Sequence, residues 1–196
     1  MRLSQPRISP LSDDQLDADQ EAALAPLRLD SLVNNRPGSV LNIFRTLAHA
    51  PKALTRFLQW GDYVLSRRNS LPAREREIVI LRVGFLCKSG YEFAQHKVIG
   101  LRDGLKEHEI EAIKEGAASI NWNPAEAALI RAADELVFDH FVSDATWAKL
   151  TEHFDQKQCM DVVFTAGQYT QVSMMLNSFG VQLDAGLTLD PDLKAD

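Results

Sequence analysis

The chain has 196 residues, of which 45% are hydrophobic and 24% charged, and a formal net charge of −6. That size suits one well-buried domain, and the acidic balance, with Arg67-Arg68 only an isolated basic pair, argues against a nucleic-acid partner. Apolar runs fall short of the roughly 18–20 residues that cross a bilayer, the start MRLSQPRISPLSDDQ lacks the apolar stretch of a signal peptide, and there are only two cysteines, Cys87 and Cys159, so a cytoplasmic protein without a structural disulfide is expected.

In chain order, Ser12-Asp-Asp-Gln15 has capping-box spacing and opens a helix expected near 12–24. The surrounding segment 1–38, with Pro6, Pro10, Pro26 and Pro37, reads as an extension packing on a core domain of residues 39–186, which is followed by a tail, 187–196. Helical periodicity then predicts helices near 39–48, 52–67, 73–87, 90–102, 107–116, 124–140 and 145–183, the last one broken. Asn123-Pro124-Ala-Glu126 and Asp155-Gln-Lys-Gln158 supply further start signals. No segment reads as a strand, so the fold class is all-α: a compact multi-helix domain with a central buried helical hairpin.

The first helix of that hairpin carries Ile78, Val79, Ile80, Leu81, Val83, Phe85 and Leu86, apolar on nearly every face, which marks it as the buried centre. Arg82 sits inside this run and needs a carboxylate or several carbonyls, with Glu92 or an acid from another helix able to serve. The hairpin turns at Lys88-Ser89-Gly90, and its second helix ends at Asp103-Gly104, where glycine suits the left-handed cap. Tyr169, Met174, Met175 and Phe179 on the last long helix add apolar surface that reads in part as a subunit interface.

The candidate chemistry lies on the same hairpin. Glu92 and His96 are four residues apart and share a helix face, where a carboxylate can orient an imidazole and hold its proton. Glu92 also stands three residues after Ser89, the spacing of a capping box. Glu77, near the start of its helix, is either a partner in the chemistry or a helix-stabilising acid paired with Arg82 or Arg45. Tyr91 offers a phenolic hydrogen bond or simply a buried ring, and Arg45 offers a bidentate carboxylate anchor or an internal ion pair. No histidine pair with ligand spacing, Cys-x-x-Cys or glycine-rich phosphate loop is present, so neither a metal nor a cofactor is expected.

The stretch SLPAREREIVILRVGFLCKSGYEFAQHKVIGLRDG, 70–104, resembles the carboxymuconolactone decarboxylase and alkylhydroperoxidase-like family, whose core places a Glu on one helix and a His one turn into the next; Glu77 and His96 match them. Redox members carry cysteines seven and four residues before that His, where this chain has Ser89 and Glu92. The chain is more similar to a branch reading Tyr-Glu-aromatic-x-x-His, here Tyr91-Glu92-Phe93-Ala94-Gln95-His96. The likeness runs from about Ser39 to Gly186 through NIFRTLAHAP, LPAREREIVILRV, DATW and VFTAGQYTQ.

The resemblance implies a homo-oligomer, a trimer or hexamer, and cofactor-free acid/base chemistry on a small organic acid or lactone, most concretely a decarboxylation. His96 would deliver the proton, Glu92 or Glu77 would set its orientation, Arg45 or Arg82 would hold the substrate carboxylate, and Tyr91 would donate to the lactone oxygen. A thiol peroxidase working through Cys87, two residues before the first family cysteine position, is the alternative, and a non-catalytic ligand-binding oligomer is a third.

Overall fold

The computed structural model describes residues 2–29 and 39–194. Among them a 3-10 turn at Asp13–Gln15 precedes nine α-helices: α1 (Ala18–Leu29), α2 (Asn42–Leu47), α3 (Pro51–Leu65), α4 (Ala73–Leu86), α5 (Gly90–Arg102), α6 (Glu107–Glu115), α7 (Pro124–Phe138), α8 (Asp144–Thr151) and α9 (Gln156–Phe179). A second 3-10 turn lies at Pro191–Leu193, and no strand forms among the described residues. Where 12–24 was expected as one helix, the chain extends at Leu16, and a second capping box, Asp17 with Gln20, starts α1. The expected break in the last helix falls at residues 152–155, where Asp155 accepts a hydrogen bond from the Gln158 amide and starts α9 afresh.

α4 is the axis of the domain. Ile78, Val79, Ile80, Leu81 and Val83 are fully buried, and burial of each contributes about 2 kcal/mol of transfer free energy. α5, α6, α7 and α9 pack around it. Two glycines set how closely the α4/α5 hairpin closes. A Cβ on Gly84 would meet Glu92 Cγ at 3.3 Å, and one on Gly100 would meet Leu105 Cδ1 at 2.8 Å and Glu77 Cβ at 3.7 Å. With hydrogen at both places, the two helices approach until side chains on α4 and α5 can hydrogen-bond directly.

The N-terminal residues lie against the core. Arg7 and Ile8 amides donate to the Phe179 carbonyl at 2.8 and 3.2 Å, and Leu11, Ala23 and Leu24 form a second apolar cluster with Val40, Ala48 and Leu54. The expected end of this extension, around residues 30–38, lies outside the described residues, as do the last two residues of the tail. Lys114 holds the tail through Asp190 and Asp192, at 2.7 and 3.0 Å. On α9, Tyr169 is buried and Met175 and Phe179 pack against the core, so only Met174 of the four apolar residues expected at a subunit interface is widely exposed. Helical spacing alone could not say which of these residues faces α4.

Candidate functional site

Glu77 lies in the second turn of α4, while Glu92 and His96 are one turn apart on α5. The close hairpin places the imidazole between the two carboxylates. His96 Nδ1 is 2.7 Å from Glu77 Oε2, in hydrogen-bond geometry. His96 Nε2 is 3.0 Å from Glu92 Oε1, but Oε1 lies off the ring N–H direction and has no aligned hydrogen-bond partner. The two carboxylates therefore differ in role: Glu77 clamps one ring nitrogen and fixes the tautomer, and Glu92 faces the other without being locked to it. Because they meet opposite nitrogens, the three groups do not converge on one point, and among the described residues no cluster is arranged to hold a metal ion.

All three side chains are buried: Glu77 is 0%, Glu92 3% and His96 6% exposed. Burial pushes the Glu92 carboxyl up to about 7, against the pull of His96 and with a further push from Glu77. For His96, burial works against the charged ring, but the charges of Glu77 and Glu92 and the Glu77 hydrogen bond outweigh it and raise the pKa. Both groups therefore favour their protonated forms, Glu92 by burial and His96 by the two carboxylates beside it, with Nδ1 held by Glu77. The Tyr169 ring, from α9, packs nearly perpendicular to the imidazole with the ring centroids 4.8 Å apart.

The expected capping box at Ser89 does not form: the Ser89 amide donates to the Gly84 carbonyl, the Ser89 hydroxyl has no partner, and Glu92 turns toward His96. Glu77 pairs with neither Arg82 nor Arg45. Tyr91 is buried with its hydroxyl donating to Asp184, which also accepts from Gln95 Nε2 at 2.8 Å and from the Asn42 amide at 2.9 Å. Gly90 and Tyr91, next to Glu92 in sequence, line a narrow cleft together with Arg2, Leu3 and Leu176, while His96 is absent from its lining.

The two arginines expected to anchor a substrate are engaged elsewhere. Arg45 Nη1 donates to Leu11 O at 2.9 Å and Asp13 Oδ1 at 2.8 Å, which ties the N-terminal segment down. Arg82 Nε meets Asp134 at 2.5 Å and its Nη1 donates to the Ile113 and Lys114 carbonyls at 2.7 and 3.0 Å. The acid it required comes from another helix, α7. Cys87, at the C-terminal end of α4, is half-buried, and burial raises its thiol. Cys159 is also a free thiol, buried beneath the start of α9.

Sequence reasoning missed Asp184, Tyr169, Arg76 and Gln95 as neighbours of the site. Asp184 lies beyond α9 and has no local signal; Tyr169 hides among apolar residues that face several ways; Arg76 sits in the alternating Arg74-Glu75-Arg76-Glu77, a pattern that reads as a solvated helix start.

Residues 51–135, from α3 to near the end of α7, match the family described as CMD, the carboxymuconolactone decarboxylase family, and this segment contains Glu77, Glu92 and His96. No curated protein matches the chain. Among solved structures, an alkylhydroperoxidase AhpD core, an uncharacterized peroxidase-related protein from Ralstonia eutropha JMP134, is 20% identical with a TM-score of 0.75, covering 93% of this chain and 95% of that one. A cysteine variant of the debrominase Bmp8, in complex with 2,3,4-tribromopyrrole, is 13% identical with a TM-score of 0.75, covering 93% and 94%. An uncharacterized peroxidase-related protein from Silicibacter sp. TM1040 is 16% identical with a TM-score of 0.69, covering 94% and 92%. At these identities the structural likeness is one of fold.

Proposed function

We propose that this chain is a cofactor-free acid/base enzyme of the carboxymuconolactone decarboxylase and alkylhydroperoxidase-like kind, acting on a small organic acid or lactone, a reading supported by the family match over residues 51–135 and by the fold of the structural neighbours. The observation that carries this reading is the imidazole of His96 held between two buried carboxylates, one hydrogen-bonded at 2.7 Å and the other loosely facing Nε2 at 3.0 Å. An acid/base group is most effective when its pKa lies near the working pH, and the Glu92 carboxyl, raised to about 7, meets that condition.

In the decarboxylase version of the proposal, the bond between the substrate carboxylate and its α-carbon breaks and carbon dioxide leaves. The electron pair moves into the conjugated lactone as a dienolate, and His96 Nε2–H protonates the carbon that carries the charge. Glu77 stabilises the imidazolium that precedes transfer and keeps the ring from turning, and the Glu92 proton or one from water restores Nε2. Assembly into a homo-oligomer belongs to the same proposal, with Met174, 60% exposed on α9, on the surface it would cover.

The test is a panel of unsaturated lactone acids, followed by loss of conjugated absorbance and by carbon dioxide release, for the wild type, His96→Gln and Glu92→Gln. Turnover should fall by about 10²–10⁴-fold in His96→Gln, the usual contribution of a positioned acid/base group. Equal turnover in the wild type and His96→Gln would overturn the reading.

The peroxidase alternative draws support from the names of the structural neighbours. In this chain it would rest on Cys87, whose thiol is raised by burial and lies at a helix C-terminus, where the dipole opposes a thiolate. Cys87→Ser should leave hydroperoxide consumption in the presence of a dithiol unchanged; loss of that activity would establish the thiol chemistry instead.

A further inference from the structure

Among the described residues, the buried and half-buried arginines are paired with acids, with one exception. Arg28 meets Asp13 and Glu21, Arg45 meets Asp13, Arg74 meets Glu109 and Glu126, and Arg82 meets Asp134. Arg76 is 9% exposed, its Nε is buried without a hydrogen-bond partner, and no carboxylate among the described residues pairs with it. A guanidinium keeps its charge at any physiological pH and presents five donors in a fixed plane. Its Nε is shut off from water with no acceptor, an unfavourable arrangement that a ligand reaching the fork would relieve.

Its position says what that ligand is for. Arg76 precedes Glu77 on α4, and its positive charge opposes protonation of His96 and eases ionisation of Tyr169, so it lies within electrostatic reach of both sides of the site. The nearby acids do not complete it, because Glu77 and Glu92 are turned to His96. We infer that Arg76 is the anchor for a carboxylate of the substrate, the role that Arg45 and Arg82 are too fully engaged to take.

A planar carboxylate matches the guanidinium fork bidentately. An acid anchored there would bring its reacting carbon to the imidazole whose Nδ1 Glu77 already holds, leaving Nε2 for the chemistry.

The inference rests on the acid/base reading, but a binding measurement separates the two. The probes are maleate, a small unsaturated diacid, and its uncharged dimethyl ester, titrated into ¹⁵N-labelled protein while the Arg76 Nε–H and His96 ring signals are followed. Wild type, Arg76→Lys and Arg76→Gln are compared, with thermal unfolding and sedimentation alongside.

Maleate should shift both signals in the wild type, bind about tenfold or more weakly to Arg76→Gln, and fall between the two for Arg76→Lys, which keeps the charge without the fork. Ester binding should not depend on residue 76. Maleate affinities within about twofold across the three proteins would overturn the inference. So would a wild type that does not respond to maleate, or an Arg76→Gln protein that changes only its sedimenting mass, since the guanidinium would then be completed by a second copy. If Arg76→Gln does not fold, the Arg76→Lys comparison decides. Failure of the acid/base reading would look different: turnover would survive His96→Gln while maleate affinity still depended on Arg76.

Discussion

Replacing Arg82 with methionine tests whether that guanidinium serves the fold or a substrate. Its side chain is 9% exposed, packs against Gly116, and donates to Asp134 and to the Ile113 and Lys114 carbonyls near the end of α6. Methionine keeps much of the volume but leaves one carboxylate and two carbonyls without their donor. Breaking a buried ion pair from one side costs about 3–5 kcal/mol, and because Asp134 is 29% exposed and can recover water on one side, the lower end, about 3 kcal/mol, is expected. For a domain of this size each kcal/mol moves the midpoint by about 2–4 °C, so the melting temperature of Arg82→Met should fall by roughly 6–12 °C. Calorimetry gives the midpoint, and steady-state kinetics at a temperature where both proteins are folded gives KM. A midpoint within about 2 °C of wild type together with a tenfold rise in KM would refute the structural role and return Arg82 to the substrate site.

Two further outcomes follow from the site and its surroundings. Glu92 has its folded pKa raised from the ordinary 4.5 to about 7. The folded state therefore holds that proton more tightly, and its contribution to stability is full below the unfolded pKa and lost as pH rises between those two values; the raised pKa of His96 acts in the same direction. Urea unfolding should show Glu92→Gln gaining on the wild type by on the order of 2–3 kcal/mol between about pH 5 and pH 8, and a difference independent of pH would contradict this. Asp184→Ala removes the acceptor of the Tyr91 hydroxyl, Gln95 and the Asn42 amide; it should cost about 2–3 kcal/mol in denaturant titrations, with Tyr91→Phe costing less, and equal stability of Asp184→Ala and wild type would mean that these bonds contribute nothing net.

The fold was largely legible in the sequence because its helices declare themselves locally. Asn123 and Asp155 cap α7 and α9 as their spacing predicts, and the apolar residues of α4 mark it as central before any neighbour is placed. Where local rules failed, tertiary contacts had overruled them. Ser89 and Glu92 have the spacing of a capping box, yet the Ser89 amide is already taken by the Gly84 carbonyl and Glu92 faces His96 Nε2 across the hairpin site instead.

By itself the sequence determined that this is a helical protein with an apolar hairpin at its centre, and it put Glu92 and His96 on one face, because helix periodicity is a property of a few adjacent residues. Only the tertiary structure decided that Glu77 reaches Nδ1, that Arg45 and Arg82 are held by Asp13 and Asp134, and that Arg76 pairs with no acid among the described residues. Those outcomes depend on how closely α4 and α5 approach at Gly84 and Gly100 and on acids 32 and 52 residues away along the chain. Such distances carry no periodic signal: which charge meets which is fixed by packing.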